Sequence, residues 1–233
     1  MKKNVFDSLF SYRPRPDRNP LEDYFTELLG FLLNFDKGFA SNWIDELWNE
    51  TSLPNPDGLR IFTQYPLGKH GRADLALVWT ENNRNKSLLV ENKIASSLGA
   101  RGVDEHGNSR TQVDNYLFYQ SEQGRHEDHK VCIFKLTPEK IYIGSSPHFL
   151  DEFLWDRLYK LLSKIVKNRS GLTNSETVFL CGQIKEFMRR HDMVFENFTI
   201  HDLASLAPYG EFRVKRDQLT ERIRYFQRAF GNL

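Results

Sequence analysis

GRADLALVWTENNRNKSLLVENKI, residues 71–94, holds two apolar runs separated by a polar segment. Residues 73–79 and 87–94 read as β-strands, and TENNRNK at 80–86 has the composition of a turn, so the stretch predicts an antiparallel hairpin. The second run ends unusually for a buried strand, with Glu91, Asn92 and Lys93 following Leu88, Leu89 and Val90. Strand residues two apart share a face, so Leu89, Glu91 and Lys93 point one way and Leu88, Val90 and Asn92 the other. A turn centred near residue 82 or 83 sets position 74, which is Asp74, opposite 91 or 92. If 74 pairs with 91, the two carboxylates share a face with their Cβ atoms about 5 Å apart. Two acids placed so repel, a cost tolerated where a cation sits between them.

Two carboxylates and one ammonium suit metal-dependent hydrolysis of phosphodiesters. Asp74 and Glu91 would hold a hard cation through oxygen, with the Asn92 backbone carbonyl as a further ligand. A bound metal polarises phosphate and acidifies water. Lys93 would orient that water or stabilise charge developing on the phosphate. The competing reading is a cross-strand ion-pair set on a solvated face. The two readings differ in one respect: removing Glu91 should cost stability in an ion-pair set, and leave it unchanged or raised at a repulsive, metal-free site.

Outward from the hairpin, SYRPRPDRNP at 11–20 reads as an extended lead-in covering residues 1–19. A helix is expected over 21–34, with Leu21, Tyr24, Phe25, Leu28 and Leu32 on one stripe. At about 100° per residue, Glu22 falls at the flank of that stripe and leans toward the sheet, whereas Glu27 falls outside it. A second helix is expected over 39–48 and a further strand over 60–65. After a Gly-rich polar loop at 96–109, a helix is expected over 111–120, then a strand over 130–137. FLDEFLWDRLYKLLSKIVK after Pro147 reads as helical, as do 175–190 and 215–229. Gln112 and Tyr116 share one helix face. Lys69, His70 and Arg72 are candidate phosphate contacts. The order of elements predicts an α/β fold, a mixed sheet of at least four strands flanked by helices.

These segments together resemble the PD-(D/E)xK nuclease superfamily, in the branch of bacterial and phage-associated proteins with an ENxxTE first helix, an ENK strand and a QxxxY helix. The first helix reads LEDYFTELLGFLL, with Glu22 at the place of the helix acid and Thr26-Glu27 following. Gly71-Arg72-Ala73-Asp74-Leu75 supplies the first carboxylate strand and Glu91-Asn92-Lys93 the ENK. Gln112 and Tyr116 stand in the later helix, and FKLTP at 134–138 matches a strand ending of that branch. Asp23 stands where the branch has Asn, and the loop over 94–111 is long. The resemblance implies a restriction-endonuclease-like core over 20–190 with a helical C-terminal region, 191–233, packed on it. It implies catalytic Asp74, Glu91, Lys93, Glu22, Gln112 and Tyr116, with metal on Asp74, Glu91, the Asn92 carbonyl and Glu22. It further implies Mg²⁺, or Mn²⁺ in its place, DNA ahead of RNA as substrate, and a role in phage defence or mobile-element biology. The alternative within the same fold is an inactive module that binds nucleic acid or a partner protein.

Composition limits the rest. The 233 residues carry 32 basic and 31 acidic side chains, a net charge of +1. So small a charge gives little pull on a duplex, and makes a homodimer or a partner protein plausible as the source of specificity. Cys132 and Cys181 each lie in apolar runs and are expected as free thiols in a reducing cytoplasm. No signal peptide or membrane helix is expected. HEDH at 126–129 lacks further ligands at zinc spacing. No GxxxxGK[ST] phosphate loop is present, which speaks against ATP-driven chemistry.

Overall fold

A computed structural model of the chain describes residues 6, 20–49, 54–94, 100–103, 109–142, 144–167, 174–194, 215 and 218–223. Five helices are described: α1 Leu21–Phe35, α2 Lys37–Leu47, α3 Gln112–Gln123, α4 Trp155–Lys167 and α5 Ser175–Arg190. The strands are β1 Arg60–Pro66, β2 Arg72–Glu81, β3 Arg84–Asn92, β4 Ala100–Val103, β5 Ser109–Thr111, β6 His129–Lys135 and β7 Phe149–Leu154. Five of them form one mixed sheet in the order β1-β2-β3-β6-β7, and β4 pairs with β5 separately. β1, β2 and β3 are antiparallel neighbours; β6 and β7 run parallel to β3.

The hairpin turns on Asn82 and Asn83, both with left-handed backbone (φ 50° and 60°), between the paired Glu81 and Arg84. Such a two-residue turn matches the twist of the strands, and asparagine tolerates it better than most residues. β3 is buried along Ser87–Asn92, as expected for a central strand covered on both faces. Leu88 and Val90 enter the larger core with α1, α2, α4 and α5, whereas Leu89 enters a smaller core beneath α3. Phe25 of α1 anchors the larger core, edge-on to Trp155 at 4.9 Å and stacked on Phe187 at 6.1 Å. α3 starts at a capping box: Thr111 Oγ1 accepts the Asp114 N–H, and Asp114 Oδ2 accepts the Thr111 N–H.

Two expectations are corrected. Residues 149–154 are not helical but form β7, because they pair with β6 and put Phe153 into the core; the helical period governs only from Trp155. The polar loop at 96–109 is interrupted by the β4–β5 pair. The N-cap of α1 is Pro20, with no side-chain cap bond; the lead-in over 1–19, except Phe6, lies outside the described residues. Of the C-terminal helix expected over 215–229, Lys215 and residues 218–223 are helical and the remainder is outside the described residues. No described helix is long and apolar enough to cross a membrane. Cys132 and Cys181 are buried and free.

Gly30 sets the approach of α1 to the sheet: a Cβ there would collide with Thr63 Cγ2 of β1. Gly30→Ala is therefore expected to destabilise the protein by about 1–3 kcal/mol in urea denaturation, despite alanine's better helix propensity. Unchanged or increased stability would show that α1 has room to move.

Candidate active site

The β2–β3 ladder ends at Leu75↔Val90, so Asp74 and Glu91 are the next residue on each strand; the turn position in the sequence leaves 74 opposite 91 or 92. Asp74 is half-buried and Glu91 fully buried. Beyond Val90 the ladder changes character, because the Asn92 N–H donates to the Asp74 carboxylate (Oδ2, 2.8 Å). The Asn92 side chain points to the other face, where its Nδ2 donates to Thr26 Oγ1 at 2.7 Å. Thr26 in turn donates to the Glu22 carbonyl at 2.8 Å. This chain of bonds ties the end of β3 to the first turn of α1 and so places the Glu22 side chain. Thr26 was visible only as part of the helix motif, and nothing in its spacing marked it as a positioning residue.

Lys93 lies between two acids. Its Nζ is 2.6 Å from Glu91 Oε1 and 3.3 Å from Glu22 Oε1. Glu22 Oε2 also accepts the Ile94 N–H at 3.1 Å. Glu91 Oε1 is wholly occluded, and its contact among the described residues is this ammonium. The other oxygen, Oε2, lies 2.5 Å from the Tyr116 hydroxyl. That hydroxyl also lies 2.7 Å from the Arg72 carbonyl and accepts the Gln112 amide N–H at 2.8 Å. It has one proton to give, and the carboxylate is the stronger acceptor. The main-chain end of Lys93 is fixed as well, by its N–H to the Phe134 carbonyl and by Trp155 Nε1 donating to its carbonyl.

Three carboxylates, Glu22, Asp74 and Glu91, thus face one ammonium, a formal excess of two negative charges. Burial, and then the facing charge of Glu91, push the Asp74 carboxyl well above the ordinary aspartate range; the Asn92 N–H and Lys93 offset only part of this. Burial also raises Glu91, against the pull of Lys93 and the Tyr116 bond. Burial opposes the charge on Lys93, but Glu91, Glu22 and Asp74 outweigh it and hold the ammonium above the ordinary lysine value. Burial and the charges of Glu91 and Asp74 raise Tyr116 far enough that it stays a hydroxyl.

The sequence-derived residues Asp74, Glu91, Lys93, Glu22, Gln112 and Tyr116 therefore come together. Glu27 is exposed, accepting from Thr63 Oγ1 at 2.9 Å. Lys69 and His70 are tied to Glu122 of α3, at 2.8 and 3.0 Å, and only Arg72 of that basic turn adjoins the cluster, through its carbonyl. Among the described residues no three Asp, Glu, His or Cys side chains are gathered as a metal cage. The donor set that fits a hard cation is the Asp74–Glu91 pair: all oxygen, under-neutralised, with Asp74 Oδ1 free of hydrogen bonds to described residues. Comparison of the chain with protein-family models, with curated proteins and with solved structures gives no match.

The expectation for Glu91→Ala is modified by this geometry. Glu91 is paired with Lys93 and Tyr116, so truncating it leaves a cavity and a poorly matched ammonium. The carboxylate whose charge is unfavourable is Asp74. Its folded-state pKa exceeds its unfolded one, so its contribution is fully favourable below the ordinary aspartate pKa and is lost as pH rises through the raised value. Asp74→Asn is expected to be more stable than wild type at about pH 8, by on the order of 1 kcal/mol, with the gap shrinking toward about pH 4. Urea denaturation across that window checks it. A variant less stable at the alkaline end would contradict the assignment.

Proposed function

We propose that the protein is a divalent-metal-dependent nuclease of the PD-(D/E)xK type, with a restriction-endonuclease-like core, that hydrolyses phosphodiester bonds of DNA. The observation that carries this reading is the facing pair Asp74 and Glu91 at a strand end, with Lys93 in contact with Glu91. Asp74 and Glu91, with the Asn92 carbonyl beside them, would hold Mg²⁺ or Mn²⁺. Bound there, the metal supplies Lewis acidity toward phosphate and water. Lys93 remains protonated at neutral pH, so it serves as a fixed positive charge toward the phosphate rather than as a base. Glu22 holds that ammonium from the opposite side. Tyr116 orients the Glu91 carboxylate, and Gln112 orients Tyr116. Two buried free thiols fit work in the cytoplasm, and defence against foreign DNA or mobile-element biology is the setting the resemblance suggests.

One observation favours a second reading, a nucleic-acid-binding or partner-binding protein of the same fold that does not cut. Lys93 already neutralises Glu91 and Glu22 in part, as a permanent ion pair would. Cleavage separates the two. Linear DNA, circular DNA and RNA are incubated with Mg²⁺, Mn²⁺ or EDTA, with Lys93→Ala beside wild type. The nuclease reading predicts metal-dependent cutting of DNA that Lys93→Ala reduces by about 10²-fold or more. Binding without cutting under every metal would instead leave the binding module.

A further inference from the structure

A second polar site lies on the same face of the sheet as Glu91, at the other end of β3. Ser87 is on the Glu91 face four residues upstream, about 13 Å along the strand. A cavity of about 390 Å³ opens there, between the sheet and the C-terminal half of α3. It takes none of the candidate active-site residues in its lining. A second hollow of about 370 Å³ adjoins it, sharing Asn85, Gln123 and His129. Volumes of this size accommodate small organic ligands.

The floor is built from buried, mutually fixed groups. Gln120 Nε2 donates to the Lys130 carbonyl, so Gln120 Oε1 must accept, and the Ser87 hydroxyl 3.1 Å away is its donor. The Ser87 proton being committed, the 2.9 Å contact to His129 Nδ1 requires that nitrogen to carry hydrogen. This assignment, read from the bonding network, leaves His129 Nε2 as an acceptor with no partner among the described residues. Gly124 keeps the approach to it open; a Cβ there would stand 3.6 Å from Nε2. Burial holds this imidazole below the ordinary histidine value, so it is neutral.

The rim is cationic and aromatic. Arg60, Arg84 and Arg125 are exposed and make no ion pair among the described residues. Tyr65 and Tyr119 stand in the wall, joined by their hydroxyls. Tyr65 reaches this face because Gln64 has left-handed backbone (φ 53°), which breaks the strand alternation and puts Phe62 and Tyr65 on one side, ring centroids 5.3 Å apart. Non-glycine residues in that conformation are held there at a cost in energy.

We propose that this cavity and the adjoining hollow together form a nucleotide subsite, in which Arg84 and Arg125 of the hollow take a phosphate, the tyrosine rings of the cavity flank the base, and His129 Nε2, lining both, accepts from an exocyclic amino group. The inference rests on the nuclease reading for its source of nucleotides: a strand entering the Asp74–Glu91 site and running along α3 reaches the cavity within on the order of four stacked nucleotides. A free nucleoside monophosphate offers the same chemistry. Cytosine presents an amino donor where thymine presents a carbonyl, so the base preference is specific.

The test is binding, not cutting. In EDTA, fluorescence anisotropy of labelled dC and dT 12-mers is measured with wild type, Arg84→Ala/Arg125→Ala and the cavity-filling Asn85→Trp, each checked for an unchanged thermal transition; dCMP competes in a parallel series. The dC strand is expected to bind severalfold more tightly than dT. Losing the arginine contacts to that phosphate should weaken it about tenfold at about 0.1 M salt and flatten the slope of log K against log salt by about 0.7. Asn85→Trp should abolish the base preference. Competition by dCMP with the same dependence on the two arginines would support the site with a free nucleotide as its ligand. Equal affinity for dC and dT, or binding untouched by the variants, would overturn the subsite. No metal is present, so failure here is distinct from failure of the cleavage reading, which the Lys93→Ala assay tests alone.

Discussion

A β-strand exchanges its two faces at every residue, so a hairpin register wrong by one would turn Glu91 away from α3 and Asp74 away from Glu91. The turn at Asn82 and Asn83 prevents this. Its two left-handed residues close the hairpin on the Glu81–Arg84 pair, and every later pairing follows by counting, down to Leu75 opposite Val90, which leaves Asp74 and Glu91 as the next residue on each strand. The parallel neighbour β6 then locks the far edge of β3 through the Lys93 N–H and the Phe134 carbonyl. The charge cluster therefore sits on a strand held from both sides. It is reached by two helices, α1 with Glu22 and α3 with Tyr116, that cover opposite faces of the sheet.

A buried acid–base pair elsewhere in the fold shows how unusual the cluster's charge balance is. Lys135, at the end of β6, pairs with Glu152 of β7, and both are almost fully buried. The Glu152 oxygens also accept the N–H groups of Ile141 and Tyr142, while Lys135 Nζ donates to the Glu139 carbonyl. One cation meets one anion, and the remaining donors and acceptors are taken by the backbone. That arrangement fastens the 136–148 connection to the sheet. At Lys93 one cation faces three carboxylates, and its close contact is with Glu91 Oε1 at 2.6 Å. A fold gains nothing in stability from such an excess.

Much of this was legible in the sequence, for reasons that can be named. The strands and their faces followed from period-two alternation, and the position of one turn brought Asp74 to within one residue of Glu91. The placement of Glu22 and the shared face of Gln112 and Tyr116 followed from helical geometry. What the sequence hid was set by tertiary context. FLDEFL satisfies a helical pattern as well as an extended one, and only the open edge of β6 selects the strand. The Tyr116–Glu91 hydrogen bond joins residues 25 apart on two elements, and no local pattern encodes it. The division of labour between the two acids was equally hidden: burial raises both, and their partners distinguish Glu91, neutralised by Lys93, from Asp74, opposed by Glu91. The left-handed Gln64, with its buried and unpartnered amide, carries no signature that would separate it from an ordinary strand residue.

In the proposed function, the excess negative charge at Asp74 and Glu91 takes a divalent cation. Isothermal titration calorimetry of Mn²⁺ into wild type and into Asp74→Asn, each in two buffers of different ionisation enthalpy, tests it most directly. One site is expected in the wild type, with proton release because binding ionises a carboxyl held above its ordinary range, and loss of that site is expected in Asp74→Asn. No binding to the wild type, or binding that Asp74→Asn leaves unchanged, would contradict it.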